Sequence, residues 1–175
     1  MVQAQSSAVL GSQAMTIGVL FVCTGNICRS PTAAGVLRAM AERAGLADAF
    51  RIESAGTFDG HIGQPASPLA IETAKRRGYD LSSHRARLLI NADLERFDYP
   101  LAMDRSHLAV MRWMAPRDLV DRPQMFLKFA PQAGTLDVPD PYGGRARNYE
   151  QALDLIEKGC AGLLATLKPL LEMAS

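Results

Sequence analysis

An apolar run, Ile17-Gly18-Val19-Leu20-Phe21-Val22, passes directly into Cys23-Thr24-Gly25-Asn26-Ile27-Cys28-Arg29-Ser30, and Pro31 opens a stretch of good helix formers behind it. A short apolar segment rich in β-branched residues reads as a buried strand, here Thr16 to Val22. Proline suits the first turn of a helix, and Thr32 through Ala41 continues one. Residues 23 to 30 are therefore a strand-to-helix loop, which constrains the chain toward an α/β fold.

The alternation repeats downstream. Arg51 to Ala55 reads as a second strand, Gly56 to Pro65 as a loop, and Ser67-Pro68 as the opening of a helix through Arg77 that Gly78 ends. Tyr99 to Met103 reads as a third strand, with Asp104 and Ser106 as N-cap candidates for a helix through Trp113. Residues 118 to 130 fit no element clearly. Apolar residues at 153, 156, 160, 163, 164, 167 and 170 keep helical spacing, so Tyr149 to Leu171 is a long amphipathic helix. Such alternation implies one α/β domain, a doubly wound, Rossmann-like parallel sheet with helices on both faces and a ligand site at the carboxyl ends of its strands. Cys23 falls at such an end. Residues 1–14, small and polar apart from Val9-Leu10, read as an extension, disordered or cloning-derived, ahead of a domain spanning 15–175.

The loop has the chemistry of an oxyanion site. A strand-to-helix turn points successive N–H groups and the positive end of the helix dipole into one concavity. Gly25 lets the backbone turn sharply, and Asn26 tolerates a left-handed conformation. Helix N-termini and adjacent cations favour the thiolate, the form in which Cys23 would attack. Arg29 supplies a planar fork for two phosphate oxygens and compensates charge that builds in a transition state. From its position, the Ser30 hydroxyl donates to the Cys23 sulfur.

Composition narrows the classes. The chain has 175 residues, formal net charge +1 and three scattered histidines, so no nucleic-acid surface is indicated. The apolar run near the N-terminus is far short of the ~20 residues of a membrane span, and no basic segment precedes it as in a signal peptide. Three cysteines without metal-ligand spacing fit a reducing compartment, so a cytoplasmic protein is expected.

At Val22 to Pro31 the sequence resembles the phosphate-binding signature of the low-molecular-weight protein tyrosine phosphatases, almost residue for residue. Glu53-Ser54-Ala55-Gly56-Thr57, Leu81 to Arg87, Met103-Asp104-Arg105-Ser106 and Asp140-Pro141-Tyr142-Gly143 follow in that family's order, so the resemblance covers about residues 15 to 171. It implies a four-stranded sheet and a cysteine-dependent phosphatase that hydrolyses protein phosphotyrosine through a phosphocysteine intermediate, with neither metal nor other cofactor. Cys23 and Arg29 would be catalytic, with Thr24, Gly25, Asn26, Ile27, Cys28 and Ser30 around the phosphate. Taken alone, Asp140 between two prolines is a turn former; the resemblance makes it the general acid and base. The resemblance also puts Asn26, Ser54 and His84 with Ser30 in a supporting network, Tyr142 on the ring-binding cleft, and Cys28 as the partner of Cys23 in a disulfide formed on mild oxidation. Gly60 and Gly143 stand where relatives carry aromatics, so a thinner cleft wall is expected. Asp104 is read as a helix cap, Arg85 and Arg87 as a solvated face, and His61 and His107 are given no role.

The implied partners are phosphotyrosine-bearing proteins, a tyrosine kinase among them, with inorganic phosphate as product. Two further chemistries use the same loop. Protein-arginine phosphatases of this superfamily tend to carry threonine at the position of Ile27, whose methyl surface suits an aromatic ring instead. Arsenate reduction needs a cysteine relay, and only Cys28 and Cys160 are available for it, the latter on the apolar face of the last helix.

Overall fold

A computed structural model describes residues 14–174. The expected extension therefore lies, except for Ala14, outside the described residues. Four strands, β1 (Ile17–Cys23), β2 (Phe50–Gly56), β3 (Tyr99–Ala102) and β4 (Gln124–Met125), form one sheet in the order β2-β1-β3-β4 with every pairing parallel. Among the described residues five α-helices accompany them: α1 (Arg29–Arg43), α2 (Pro68–Arg76), α3 (Asn91–Arg96), α4 (Arg105–Met114) and α5 (Ala146–Met173). None is long and apolar enough to cross a membrane.

β1 organises both layers because side chains alternate across a strand. Val19, Phe21 and Cys23 enter a core with Ala33, Leu37, Leu153, Ile156 and Leu163 of α1 and α5. Leu20 and Val22 enter a second core with Leu94 of α3, Met111 of α4 and Phe97. All seven residues of β1 are buried, and each large apolar side chain so removed from water is worth roughly 1.5–3 kcal/mol. A strand covered on both faces has no polar alternation to show, which is why it reads as one continuous apolar run.

Several boundaries differ from those expected. β1 includes Cys23, and α1 begins at Arg29, so that Arg29, Ser30 and Pro31 all lie in its first turn. β3 stops at Ala102, one residue before Met103. The short α3 had no sequence signal; the Asp93 side chain, accepting from Ile90 N–H at 3.0 Å, holds its start. Residues 124–129 are the two-residue β4 followed by a 3-10 turn, whose Phe126 packs edge-on to Phe21 at 5.1 Å.

That turn is fitted closely against α5. A Cβ on Gly162 would lie 1.8 Å from the Phe129 carbonyl oxygen, and one on Gly159 2.3 Å from the Phe126 ring. In an unobstructed helix, glycine to alanine gains about 1 kcal/mol. Here a backbone atom must move, at a cost of roughly 1–3 kcal/mol. Gly162→Ala is therefore expected to lower the urea midpoint and the melting temperature; a stabilised variant would show that α5 is not pinned at this contact.

Candidate active site

β1 carries Cys23 to the carboxyl edge of the sheet, 2% exposed, and the loop to Arg29 closes over it. Asn26 is the single described non-glycine residue with positive φ, at 55°. Its side-chain nitrogen donates to Ser30 Oγ at 2.8 Å and to Ser54 Oγ at 2.9 Å. Its Oδ1 accepts from Arg87 N at 2.9 Å, and its carbonyl accepts from His84 Nε2 at 2.6 Å. The four expected network residues are thus brought together. The chain bends at Gly25 with a φ that is not positive, and a Cβ there would lie 2.8 Å from the His61 ring.

Ser30 Oγ stands 2.9 Å from Cys23 Sγ and 3.5 Å from the Ala55 carbonyl. Because Asn26 donates to this oxygen, its one hydrogen is free for either acceptor. A thiolate at 2.9 Å is the stronger claim on it.

Arg29, 3% exposed, donates through one nitrogen to Asp104 Oδ2 at 2.7 Å and to the Val138 carbonyl at 2.9 Å. Its other terminal nitrogen lies 3.6 Å from Asp140 Oδ2. Asp140 is half exposed, and its Oδ1 accepts the Tyr142 N–H at 3.1 Å. Cys23, Thr24, Ile27, Arg29 and Asp140 line one cleft of about 160 Å³.

Its mouth is walled by Phe58, His61 and Tyr142, with ring centroids 5.9 Å apart from Phe58 to His61 and again from His61 to Tyr142. This corrects the thin wall expected from Gly60 and Gly143. A Cβ on Gly60 would lie 2.2 Å from the Phe58 ring, so the glycine makes room for that ring. Phe58 and His61 were missed because nothing in their local pattern marks a cleft.

Asp104 and His107 also do more than the sequence suggested. Asp104 caps α4 through Ser106 N at 2.9 Å while holding Arg29. Burial pushes its carboxyl up, but hydrogen bonds from Ser106 and Arg29 outweigh this and the pKa falls to about 2. His107 is 1% exposed; its Nδ1 accepts from Asp104 N at 3.2 Å and its Nε2 stands 2.9 Å from Thr24 Oγ1. Burial lowers its pKa to about 4 against the opposing charge of Asp104. The 3.2 Å approach of Nδ1 to Asp104 Oδ1 is accordingly not an ion pair at neutral pH. The ring is neutral with its proton on Nε2, a tautomer assigned from this network. The partners Thr24 and His107 are 83 residues apart, beyond any local motif.

One further residue departs from expectation, and another stands on the cleft as expected. Arg87 is not a solvated cation: it pairs with Asp93 at 2.8 Å and Glu53 at 3.0 Å. Cys28 lines the cleft, and its thiol, pushed up by burial, donates to Ser67 Oγ at 3.3 Å.

The sequence profile of the low molecular weight phosphotyrosine protein phosphatases matches residues 18–171. The chain belongs to that family. It is 40% identical over 162 residues to a low molecular weight protein-tyrosine-phosphatase of Streptomyces coelicolor, covering 90% of this chain and 98% of the relative. The crystal structure of YfkJ from Bacillus subtilis superposes with a TM-score of 0.84 at 36% identity, covering 90% of this chain and 98% of that one. YwlE arginine phosphatase of Bacillus subtilis, as a cysteine-to-serine mutant with a phosphorylated active-site serine, has a TM-score of 0.77 at 31% identity, covering 87% and 96%.

The buried neutral ring gives a testable pH dependence. Its pKa falls from 6.5 to about 4 on folding, so the unfolded chain binds the proton more readily. This contribution is complete above about 6.5 and is lost as pH falls toward about 4. His107→Gln should flatten the fall in unfolding free energy over that window, measured by urea titration. Equal slopes in both proteins would mean that the ring is protonated in the fold.

Proposed function

We propose that this chain hydrolyses phosphotyrosine on proteins, with Cys23 as nucleophile and Asp140 as general acid and then base. The observation that carries this reading is the convergence on one cleft of a sulfur 2.9 Å from Ser30 Oγ, a buried guanidinium and an exposed carboxylate 3.6 Å from it. The phosphoryl group enters over the loop of residues 23–29, with the Arg29 fork on two of its oxygens. The Cys23 thiolate attacks phosphorus as the bond to the phenolic oxygen breaks, and protonated Asp140 gives its proton to that oxygen. Water then attacks the phosphocysteine, its proton passes to Asp140, and the thiolate leaves with the Ser30 hydroxyl donating to it. Inorganic phosphate is released. A phenolate with pKa near ~10 leaves poorly unless protonated, which sets the value of the acid at roughly 10²- to 10⁴-fold.

Cleft depth supports an aryl substrate. Cys23 lies nearly buried beneath three aromatic rings, so the reacting group must sit at the end of a long side chain. A phenyl ring gains edge or offset contact with Phe58, His61 and Tyr142 while Ile27 packs beneath it. The same isoleucine separates this reading from arginine phosphatase activity. Arsenate reduction is disfavoured by Cys160, which is fully buried and donates to the Ala33 carbonyl at 3.5 Å in the core. Cys28, on the same cleft, is the thiol we assign to capture an oxidised Cys23 as a disulfide. Cytoplasmic phosphotyrosine proteins, including kinases with phosphorylated tails, are the substrates this reading expects.

Cys23→Ser should abolish turnover yet still bind phosphate, since Arg29 remains; turnover above roughly a few per cent of wild type would refute the nucleophile assignment. Asp140→Asn should slow phosphotyrosine hydrolysis by roughly 10²-fold or more and slow an aryl phosphate with an acidic phenol far less. Equal losses would mean that Asp140 positions its loop without transferring a proton. Assays of phosphotyrosine, phosphoarginine and arsenate side by side should show turnover with the first alone.

A further inference from the structure

Behind the loop lies a second cavity, of about 360 Å³, that shares no lining residue with the cleft. That size is within the ~300–1,000 Å³ of small-molecule sites. Arg38, Ser54, His84, Arg85 and Arg87 face it, together with the carboxylates of Glu53 and Asp80. Three arginines and two carboxylates line it, an excess of one positive charge. Glu53 is held by Arg87 at 3.0 Å, and Asp80 accepts the Ser82 N–H at 2.9 Å. Arg87 is further paired with Asp93. Arg38 donates to the Ile52 carbonyl at 2.9 Å and Arg85 to the His84 carbonyl at 2.7 Å, and among the described residues neither forms an ion pair. Two guanidinium groups therefore flank the cavity with donors to spare.

His84 connects this cavity to the loop. Its Nε2 donates to the Asn26 carbonyl, whereas among the described residues Nδ1 forms no hydrogen bond. No buried side-chain nitrogen or oxygen among the described residues lacks a partner, so Nδ1 reaches the solvent of the cavity. Burial lowers the pKa of the ring; the Asn26 carbonyl opposes this, and the charges of Arg38 and Arg85 add to the lowering. Those two charges are thus close enough for the ring to feel them.

We propose that this cavity is a second oxyanion site, which takes a phosphate group between Arg38 and Arg85 with His84 at its base. Two arginine forks approaching from different elements suit a tetrahedral dianion, whose oxygens point in several directions, better than a planar carboxylate. The anion offsets the two positive charges and so favours the protonated ring, whose Nδ1–H joins the donors. Because the other ring nitrogen holds Asn26, occupancy of the cavity is coupled to the loop that carries Cys23. The inference stands independently of the reaction assigned above.

The three histidines of the chain make the test specific, since His61 reports the cleft and His84 the cavity. Their ring NMR signals are followed during titration with inorganic phosphate at constant ionic strength, and in parallel with glycerol 3-phosphate. His84 should move on its own saturation curve, separate from that of His61. Arg38→Gln/Arg85→Gln should raise the His84 midpoint at least about ten-fold, as expected for loss of one charge-assisted hydrogen bond or more. The response of His61 should survive, which also shows that the variant is folded. A lower His84 midpoint for glycerol 3-phosphate would identify the occupant as the phosphate of a small ester, and a lower one for inorganic phosphate the free ion. An immobile His84, a His84 that follows His61 with one shared midpoint, or an unchanged midpoint in the variant would overturn the proposal. Absence of a His61 response would count against the assigned reaction and leave the second site standing.

Discussion

Asn26 holds the active-site loop in shape. Its left-handed backbone costs roughly 1–3 kcal/mol and is repaid only by what surrounds it. Every polar group of its side chain is engaged, with Ser30 on α1, Ser54 on β2 and the Arg87 amide, and its carbonyl takes the His84 ring. At a net ~0.5–1.5 kcal/mol for each hydrogen bond, four such contacts exceed the strain. They also tie the loop to α1, β2 and the segment 84–87, so that Cys23 and Ser30 keep their 2.9 Å separation. Gly56 belongs to the same constraint, since a Cβ there would lie 2.5 Å from the Thr24 carbonyl oxygen.

Arg29 poses the opposite problem, a charge almost entirely removed from water. Asp104 neutralises it from the start of α4, and the Val138 carbonyl satisfies a further donor bond. Buried pairs of this kind add little net stability, but they fix the guanidinium in advance of substrate. Asp140 stands at the other terminal nitrogen, longer and more exposed than Asp104. One arginine thus meets two carboxylates of different character. Asp104 is a fixed counterion with pKa about 2; Asp140 sits on a loop open to solvent, where a leaving group can reach it.

The sequence was most legible where one segment carries both structure and chemistry. Cys23 to Pro31 reads as a strand, a turn and a helix start at once, and the long amphipathic α5 shows its apolar face over many turns. Legibility fell where a role depends on a contact between distant segments. Asp104 as a cap follows from its neighbours, whereas its hold on Arg29 requires β1 and β3 to lie side by side. His107 has no local signature, and Phe58 joins the cleft wall only because Gly60 lets its ring fold back. Arg87 reads as a surface charge until α3 supplies Asp93. Asp104 and His107 owe their roles to partners 75 and 83 residues away; the parallel sheet needed only correct elements in correct order, and the network around Asn26, equally long-range, came with the family resemblance.

The most direct test of the central claim is to trap the covalent intermediate. Mixing the enzyme with a fast aryl phosphate, quenching in denaturant within a turnover and mapping the modified peptide should find the phosphoryl group on Cys23 alone. More of it should accumulate in Asp140→Asn, where attack by water lacks its base. Phosphate on any other residue, or turnover with no phosphoenzyme at any time, would contradict the assignment of Cys23 as the nucleophile.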